Sequence, residues 1–483
     1  MKPANLLFIL SDEHNRKVMG CSGHPMVKTP NIDRLAAAGT RFSDAYCNSP
    51  LCVPSRASLA TGRYVHQIGA WDNALPFDGS VPSWHHRLRE NGHRVTAIGK
   101  LHFRSADDPN GFDEEIMTMH VPGGVGDPIG LVRKNAPPHL VTLKMSESAG
   151  RGDSSYQQYD DNITATAEDW LRTRAGKYRD KPWALFVSLV APHFPLIARP
   201  EWYNLYPEDS IPWPEQYAED ERPTHPWIAS MRGVYVYDKS FNEERVRKAI
   251  AAYFGLVSFL DHNIGRLLAV LDETGLADTT RVLYSSDHGD NVGARGLWGK
   301  SNLYEDSAGV PLILRGPDVP RGVVCPEPVT LVDVFPTVVD CVGLPRKMSD
   351  ADLPGTSLFD VIRGTKPRRA FSEYHATGAA TGAFMIRKGT FKYVYYVDMP
   401  PQLFDLENDP WEKRDLAAEP GYEGLLRDCE ADLRRVVDPE AADAQAFHDQ
   451  ALKAEDFGGR EAILAKGSYG YSPAPGIAAG KHE

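Results

Sequence analysis

The sequence predicts an α/β protein with a large, mostly parallel central sheet flanked by helices, followed by a smaller antiparallel unit. Three observations predict it. Apolar runs at residues 6–10, 183–190 and 310–315 are continuous, not alternating, as expected of strands buried on both faces of a parallel sheet. A segment of helical period lies between them, with Val246, Ile250, Tyr253, Val257, Leu260, Ile264, Leu267 and Leu271 recurring on one face until Gly275. Beyond Arg369, β-formers cluster at 383–387 and 391–396 around Lys388-Gly389, a hairpin signal.

Length and composition set the limits. The chain has 483 residues, 42% apolar and 10% aromatic, enough for a sizeable core and too much for wholesale disorder. Two unequal parts are expected: a catalytic α/β domain at 1–365 and a small antiparallel domain at 366–440, divided where the composition turns basic and proline-bearing. Residues 441–483, where apolar residues thin out, are expected to be a tail, either disordered or ordered only against another subunit. The net charge of −12 and the lack of a Lys/Arg run argue against a nucleic-acid partner, so an anionic substrate must be attracted locally. The first apolar run ends at Ser11-Asp12 without a small-residue cleavage site and reads as a strand. No stretch approaches the roughly 18 apolar residues of a membrane span. Six cysteines without framework spacing suit a cytoplasmic location.

In chain order, the first strand delivers Asp12 to its carboxyl end, where ligands of open α/β sheets gather; the alternative is a turn or cap residue. Thr29-Pro30 starts a short helix over 31–38 that Gly39 ends. Pro54 and Gly62 bracket a helix at 55–61, which places Cys52 at its amino-terminal end. Unpaired N–H groups and the helix dipole favour an anion there, and Arg56 adds to that field. A packing cysteine would look the same taken alone.

A helix at 82–91 and a strand at 94–98 lead to Gly99-Lys100-Leu101-His102. In an extended segment Lys100 and His102 point the same way, into one pocket; a solvated lysine beside a packed histidine is the alternative. Residues 121–138 form a loop near the site mouth. The strand at 183–190 ends at Ala191-Pro192-His193. The aromatic, proline-rich segment 200–227 is a substrate wall, a subunit contact or packed cover for the sheet. A strand at 281–285 ends in Ser286-Asp287-His288-Gly289-Asp290, and Lys300 follows. A helix at 331–342 is expected to break at Pro336.

Five separated motifs, Ser-Asp-Glu at 11, Cys-Val-Pro-Ser-Arg at 52, Gly-Lys-Leu-His at 99, Ala-Pro-His at 191 and Ser-Asp-His-Gly-Asp at 286, resemble those of the type I sulfatases in type and order. The likeness runs from Asn5 to about Leu416 and is nearest the branch of choline sulfatases and phosphonate monoester hydrolases. It implies an alkaline-phosphatase-like fold and oxidation of Cys52 to Cα-formylglycine. It also implies one divalent ion, Mn²⁺ or Ca²⁺, held by Asp12, the modified Cys52, Asp287 and His288. Val53 stands where a smaller residue is commoner. Glu13 stands where many members carry a second aspartate, which favours the four-ligand set.

Hydrolysis of a small sulfate monoester is the implied activity, with promiscuity toward phosphate diesters and phosphonates. By the same resemblance Arg56, Lys100 and Lys300 neutralise charge, and His193 with Lys300 faces the leaving group. His102 is the base that returns the aldehyde, and Asn73 contacts the sulfate. A formylglycine-generating maturation enzyme and a homodimer or homotetramer are implied as partners. The chemical rival is a phosphonate monoester or phosphodiester hydrolase with the same nucleophile and metal; the charged Lys100 and His102 favour sulfate. A silent binder of sulfated ligands is the other rival, and the filled catalytic positions argue against it. Ser372-Glu373-Tyr374 resembles a segment of choline sulfatases, and aromatic residues around an acidic group would suit a quaternary ammonium.

Overall fold

A computed structural model describes residues 2–138, 140–364, 368–468 and 470–476. Among them, eight strands form one sheet in the order Val323–Cys325, Gly39–Phe42, Leu312–Arg315, Thr280–Ser286, Asn5–Asp12, Ala184–Pro192, Val95–Lys100 and Glu114–Met119. Leu312–Arg315 runs antiparallel to both neighbours, and the remaining pairs are parallel. The three central strands are buried along nearly their whole length, which accounts for their continuous apolar runs.

On one face lies the Glu243–Glu273 helix. The Asn242 side chain caps it by accepting from Arg245 N (2.9 Å), Glu243 and Glu244 suit the positive end of its dipole, and Gly275 at φ 69° turns the chain away. It packs beside the Ser155–Thr173 helix against the Ala184–Pro192 strand. One 18-residue stretch of it is apolar enough to rival a membrane span, an exception to the sequence expectation, but 78% of that stretch is buried inside the protein. The other face carries Cys52–Thr61, Trp84–Glu90 and Val334–Cys341. The expected break at Pro336 does not occur: Pro336 falls in the first turn of Val334–Cys341, where no intrahelical N–H is required.

A second sheet, Arg369–Tyr374, Ala383–Lys388, Phe391–Tyr396 and Met399–Asp405, is an antiparallel meander. Its Ala370, Tyr374, Met385 and Val394 join the same core cluster as Trp227 and Tyr253, so this sheet shares its core with the larger part. The expected boundary at 365/366 and the last seven residues of the chain lie outside the described residues.

The tail expectation is corrected. Pro439–Glu455 is a helix that runs across the expected division at 440/441, and Gly459–Lys466 is another. Both pack within this chain. Arg133 pairs with Asp443 (2.7 Å), Trp71 Nε1 donates to Asp449 (2.8 Å), and Gln450 donates to Asp72 (2.7 Å) and to His375 O (2.8 Å). Low apolar content hid this docking, because polar side chains carry it. In the 200–227 segment Trp227 is fully buried and Tyr203 nearly so, which makes it cover for the core.

Candidate active site

Four strand ends and one helix terminus meet above the sheet. Asp12 ends the first strand, Asp287 and His288 follow the Thr280–Ser286 strand, His193 follows Ala184–Pro192, and Lys100 ends Val95–Lys100. Cys52 is the first residue of the Cys52–Thr61 helix, which begins three residues earlier than expected and stops at Gly62 (φ 67°).

Arg56, one turn into that helix and 2% exposed, organises the two aspartates. Its Nε donates to Asp287 Oδ2 (2.7 Å) and its Nη2 to Asp12 Oδ2 (3.0 Å), while Nη1 donates to Lys100 O (2.6 Å) and Ser188 Oγ (3.0 Å). Burial opposes its charge, but Asp287 and Asp12 more than offset this and raise its pKa. Lys100 Nζ lies 2.6 Å from Asp12 Oδ2. Each aspartate thus has its Oδ2 neutralised; Asp12 Oδ1 faces Cys52, and Asp287 Oδ1 accepts from His288 N (2.9 Å) and Glu13 N (3.2 Å). Burial alone would raise Asp12; Lys100, with Arg56 and Lys300, holds it well below the ordinary carboxylate range.

The candidate ligand atoms converge. Cys52 Sγ lies 3.2 Å from His288 Nε2 and 3.7 Å from Asp12 Oδ1; His288 Nε2 lies 3.8 Å from Asp12 Oδ1 and 3.7 Å from Asp287 Oδ1. All four residues are buried and form one candidate cation cluster. Edges of this length fit a coordination polyhedron with bonds of about 2.0–2.6 Å. His288 Nδ1 meets Gly289 O at 3.0 Å, so a proton on Nδ1 leaves the Nε2 lone pair for the cluster. The donor set therefore fits a divalent ion, with Cys52 Sγ standing where an oxygen of a modified side chain would be.

Glu13, at φ 68°, turns away from this quartet: its Oε2 lies 3.0 Å from Lys300 Nζ and 3.3 Å from His193 Nε2. With Asp12 and His193 it makes a second candidate cluster. Burial first, then Asp290 and Asp12, push Glu13 up to about 8 against the pull of Lys300. Lys300 Nζ lies 2.8 Å from His193 Nε2, and His193 Nδ1 lies 2.6 Å from Phe194 O. Burial and then Lys300 hold His193 well below its ordinary pKa, so the imidazole is neutral. It donates through Nδ1 and accepts from Lys300, and the proton of this pair sits on the lysine.

Lys100 and His102 do meet in one pocket, but not by the extended geometry expected. Gly99 adopts φ 97°, where a Cβ would come within 2.2 Å of Ser188 O, and His102 sits at φ 56° with its N–H on Met119 O (2.9 Å). Two left-handed residues, not strand alternation, aim both side chains inward. A cavity of ≈60 Å³ is lined by Cys52, Asn73, Lys100, His102, His193 and Lys300. Asn73 Oδ1 accepts from Val53 N (3.2 Å), capping the helix and freeing the amide NH₂ as a donor.

A second cavity of ≈110 Å³ shares Asn73, Asp127, Phe194, Lys300 and Gly470 with the first and continues between Tyr235, Tyr237, Trp298 and Tyr374.

The sulfatase family profile matches residues 4–344. This chain belongs to the sulfatase family. A second profile, N-sulphoglucosamine sulphohydrolase C-terminal, matches residues 293–438. Among relatives of this sulfatase-family chain, choline-sulfatase of Rhizobium meliloti (strain 1021) is 33% identical over 425 residues, 86% of this chain and 83% of that one. Arylsulfatase K of Danio rerio is 30% identical over 461 residues, 90% and 84% of the two chains. In structure the chain is similar to the phosphonate monoester hydrolase of Agrobacterium radiobacter, with TM-score 0.70, 22% identity, and 92% and 96% of the two chains covered. The fold is alkaline-phosphatase-like, as the sequence predicted.

Sequence reasoning missed the residues that hold the motifs in place. Ser188 on Arg56 was visible as the one polar residue in an otherwise apolar strand core, Ala184 to Ala191. Asp160, whose carboxylate accepts from Val190 N and Ala191 N (both 2.7 Å) and fixes the turn before His193, is one acidic residue among several on its helix. Ser472, Tyr471 and Gly470, which line the Cys52 cavity, gave no signal in a stretch that read as tail.

Proposed function

We propose that this protein hydrolyses sulfate monoesters through a formylglycine at position 52 and one divalent cation held by Asp12, residue 52, Asp287 and His288. The observation that carries the reading is the buried quartet, in which Arg56 holds Oδ2 of both aspartates, with Lys100 also on Asp12, while Asp12 Oδ1 and Asp287 Oδ1, the latter also accepting from Glu13 N and His288 N, lie beside His288 Nε2. Burial and then Asp12 push the Cys52 thiol up to about 12, so the unmodified side chain stays a thiol and a weak nucleophile. The cation would acidify a hydroxyl of the hydrated aldehyde and offset charge on the sulfuryl oxygens.

The chain's own residues then divide the work. Lys100, Lys300 and the Asn73 amide line the cavity as donors for the sulfuryl oxygens, with Arg56 holding the aspartates behind them. Lys300, paired with neutral His193, carries the proton nearest the leaving oxygen. His102, held neutral by burial and then by Lys100 and Arg56, can accept a proton in the second half of the reaction.

A second reading of the leaving group is favoured by the aromatic chamber. Tyr235, Tyr237, Trp298, Tyr374 and Phe194 surround it, and Asp127 is the carboxylate on its wall. Ring faces beside a carboxylate suit a quaternary ammonium alcohol, the substrate type in the name of the Rhizobium relative. Phosphonate turnover by the same site is a side activity of this reading, since both transferring groups are tetrahedral anions. No disulfide joins any of the six cysteines, which suits a cytoplasmic enzyme whose Cys52 is matured by a formylglycine-generating partner. A homodimer or homotetramer remains part of the proposal, without the tail as its reason.

The test is turnover of a chromogenic aryl sulfate and of choline sulfate by protein of known metal content. Turnover of either, lost on chelation and restored by Mn²⁺ or Ca²⁺, is expected. Inactivity of fully matured, metal-loaded protein on both esters would remove the reading.

A further inference from the structure

The segment after Gly459–Lys466 returns to the reacting cavity. Ser472, 6% exposed, places its Oγ 2.8 Å from His102 Nε2. Ser472 is itself held. Tyr156 OH donates to its carbonyl, Tyr471 packs edge-on against Tyr156 (5.3 Å between ring centroids) and Phe194 (5.8 Å), and Ala474 sits in the core cluster of the Ala184–Pro192 strand. Ser468 adds a hydrogen bond to Asp127. His102 Nδ1, in contrast, is buried and has no hydrogen-bond partner among the described residues.

A neutral imidazole carries one N–H and one lone pair, and the partner of one nitrogen decides what the other can do. Lys100 and Arg56 crowd His102 with positive charge, so a second proton on the ring is disfavoured. The hydroxyl of Ser472 can accept from Nε2–H or donate to Nε2, but the second arrangement would bury an Nδ1–H with no acceptor among the described residues, so the first is favoured and Nδ1 is the nitrogen with a free pair.

We propose that Ser472 is a positioning residue that fixes His102 as the Nε2–H tautomer and makes Nδ1 the proton acceptor of the second half-reaction. This rests on the sulfatase reading above. In that step the O–H proton on residue 52 moves to Nδ1 and the O–H electron pair becomes the carbonyl π bond. The carbon–oxygen bond to sulfate breaks with its pair leaving on sulfate. An aldehyde, a sulfate dianion and an imidazolium result. The C-terminal segment is thereby a working wall of the site, supplied within the same chain.

Two measurements test this. In protein labelled with ¹⁵N-histidine, the His102 signals, assigned by their loss in His102→Ala, should show a protonated Nε2 and an unprotonated Nδ1. Ser472→Ala should mix the tautomers and Ser472→Thr should restore the wild-type pattern. This readout does not need turnover. In aryl sulfate kinetics Ser472→Ala should lower kcat about tenfold with KM within twofold and show a burst of about one alcohol per site, while Ser472→Thr stays near wild type. An Nδ1–H tautomer in the wild type overturns the proposal, and so does active wild type with Ser472→Ala unchanged in both readouts. A wild type with the expected tautomer but no turnover defeats the sulfatase reading, and with it the role assigned to Nδ1.

Discussion

Around Cys52 the charged groups come from strand ends, the first turn of a helix and the turn at Lys300 and are paired with one another, whereas the adjoining chamber is walled by rings from short helices, loops and one strand end together with the end of the chain. Arg56 alone makes four hydrogen bonds, to three different strands and to the turn after a fourth. Tyr235, Tyr237 and Trp298 come from short helices and turns, and Ser468 and Gly470 from the C-terminal segment. The cavity carries the charges that a sulfuryl transfer requires whatever its alcohol. Asn73, Asp127, Phe194, Lys300 and Gly470 join the two cavities, whereas the rings of Tyr235, Tyr237, Trp298 and Tyr374 line the chamber alone and lie outside the cation cluster.

The sharpest way to break this contrast is at the cation quartet. Asp287→Asn and His288→Ala should each lose bound metal and lower kcat/KM by about a thousandfold or more, since both remove a ligand with no substitute nearby. Glu13→Gln, beside the quartet but turned toward Lys300, should keep its metal. Elemental analysis with aryl sulfate kinetics checks this; full metal occupancy in Asp287→Asn would contradict the ligand assignment. Arg56→Met should also cost stability, about 3–5 kcal/mol, by leaving two buried carboxylates without their shared cation; a chemical-denaturation midpoint measures it.

Substitutions in the chamber should act on selectivity and leave the reaction intact. Asp127→Asn should raise KM for choline sulfate about tenfold and change kcat on an uncharged aryl sulfate by less than twofold. Equal losses on both esters would mean that the chamber and the cavity act as one unit.

Smaller still is an effect of pH on stability where the second sheet meets the larger part. Glu373 Oε1 accepts from His66 N (3.0 Å) and lies 2.9 Å from its Nδ1, while Oε2 lies 3.0 Å from His375 Nε2. Burial opposes the carboxylate, but His66 and His375 pull it down to about 2. A depressed carboxylate stabilises the fold above its ordinary pKa, and that contribution fades as pH falls from 4.5 toward 2. The difference is worth up to about 3 kcal/mol. Thermal unfolding between pH 6 and pH 3 should show Tm falling more steeply in the wild type than in Glu373→Gln; parallel slopes would refute it.

The same contrast explains what the sequence could show. Asp12, Cys52, Lys100, His193 and Asp287 were legible because each follows a continuous apolar run or opens a helix bracketed by proline and glycine, and such local signals survive without partners. Lys100 and His102 were paired correctly for an incorrect reason, since Gly99 and His102 reach their geometry through positive φ values that strand alternation does not foresee. The chamber was illegible because its walls come from segments far apart in sequence. Trp71 and Asp72 illustrate this: the Pro439–Glu455 helix anchors them through Asp449 and Gln450, contacts nearly 400 residues apart. Nothing in a polar helix announces which surface it will cover.

The central claim is that a hydroxyl of hydrated formylglycine at residue 52 is the nucleophile. Mass spectrometry of the peptide containing residue 52, taken from preparations of differing activity, tests it directly. The predicted result is that aryl sulfate turnover per protein molecule rises in proportion to the fraction of Cys52 found as formylglycine and extrapolates to zero when all of it is thiol. Full activity in protein whose Cys52 is unmodified would contradict the account.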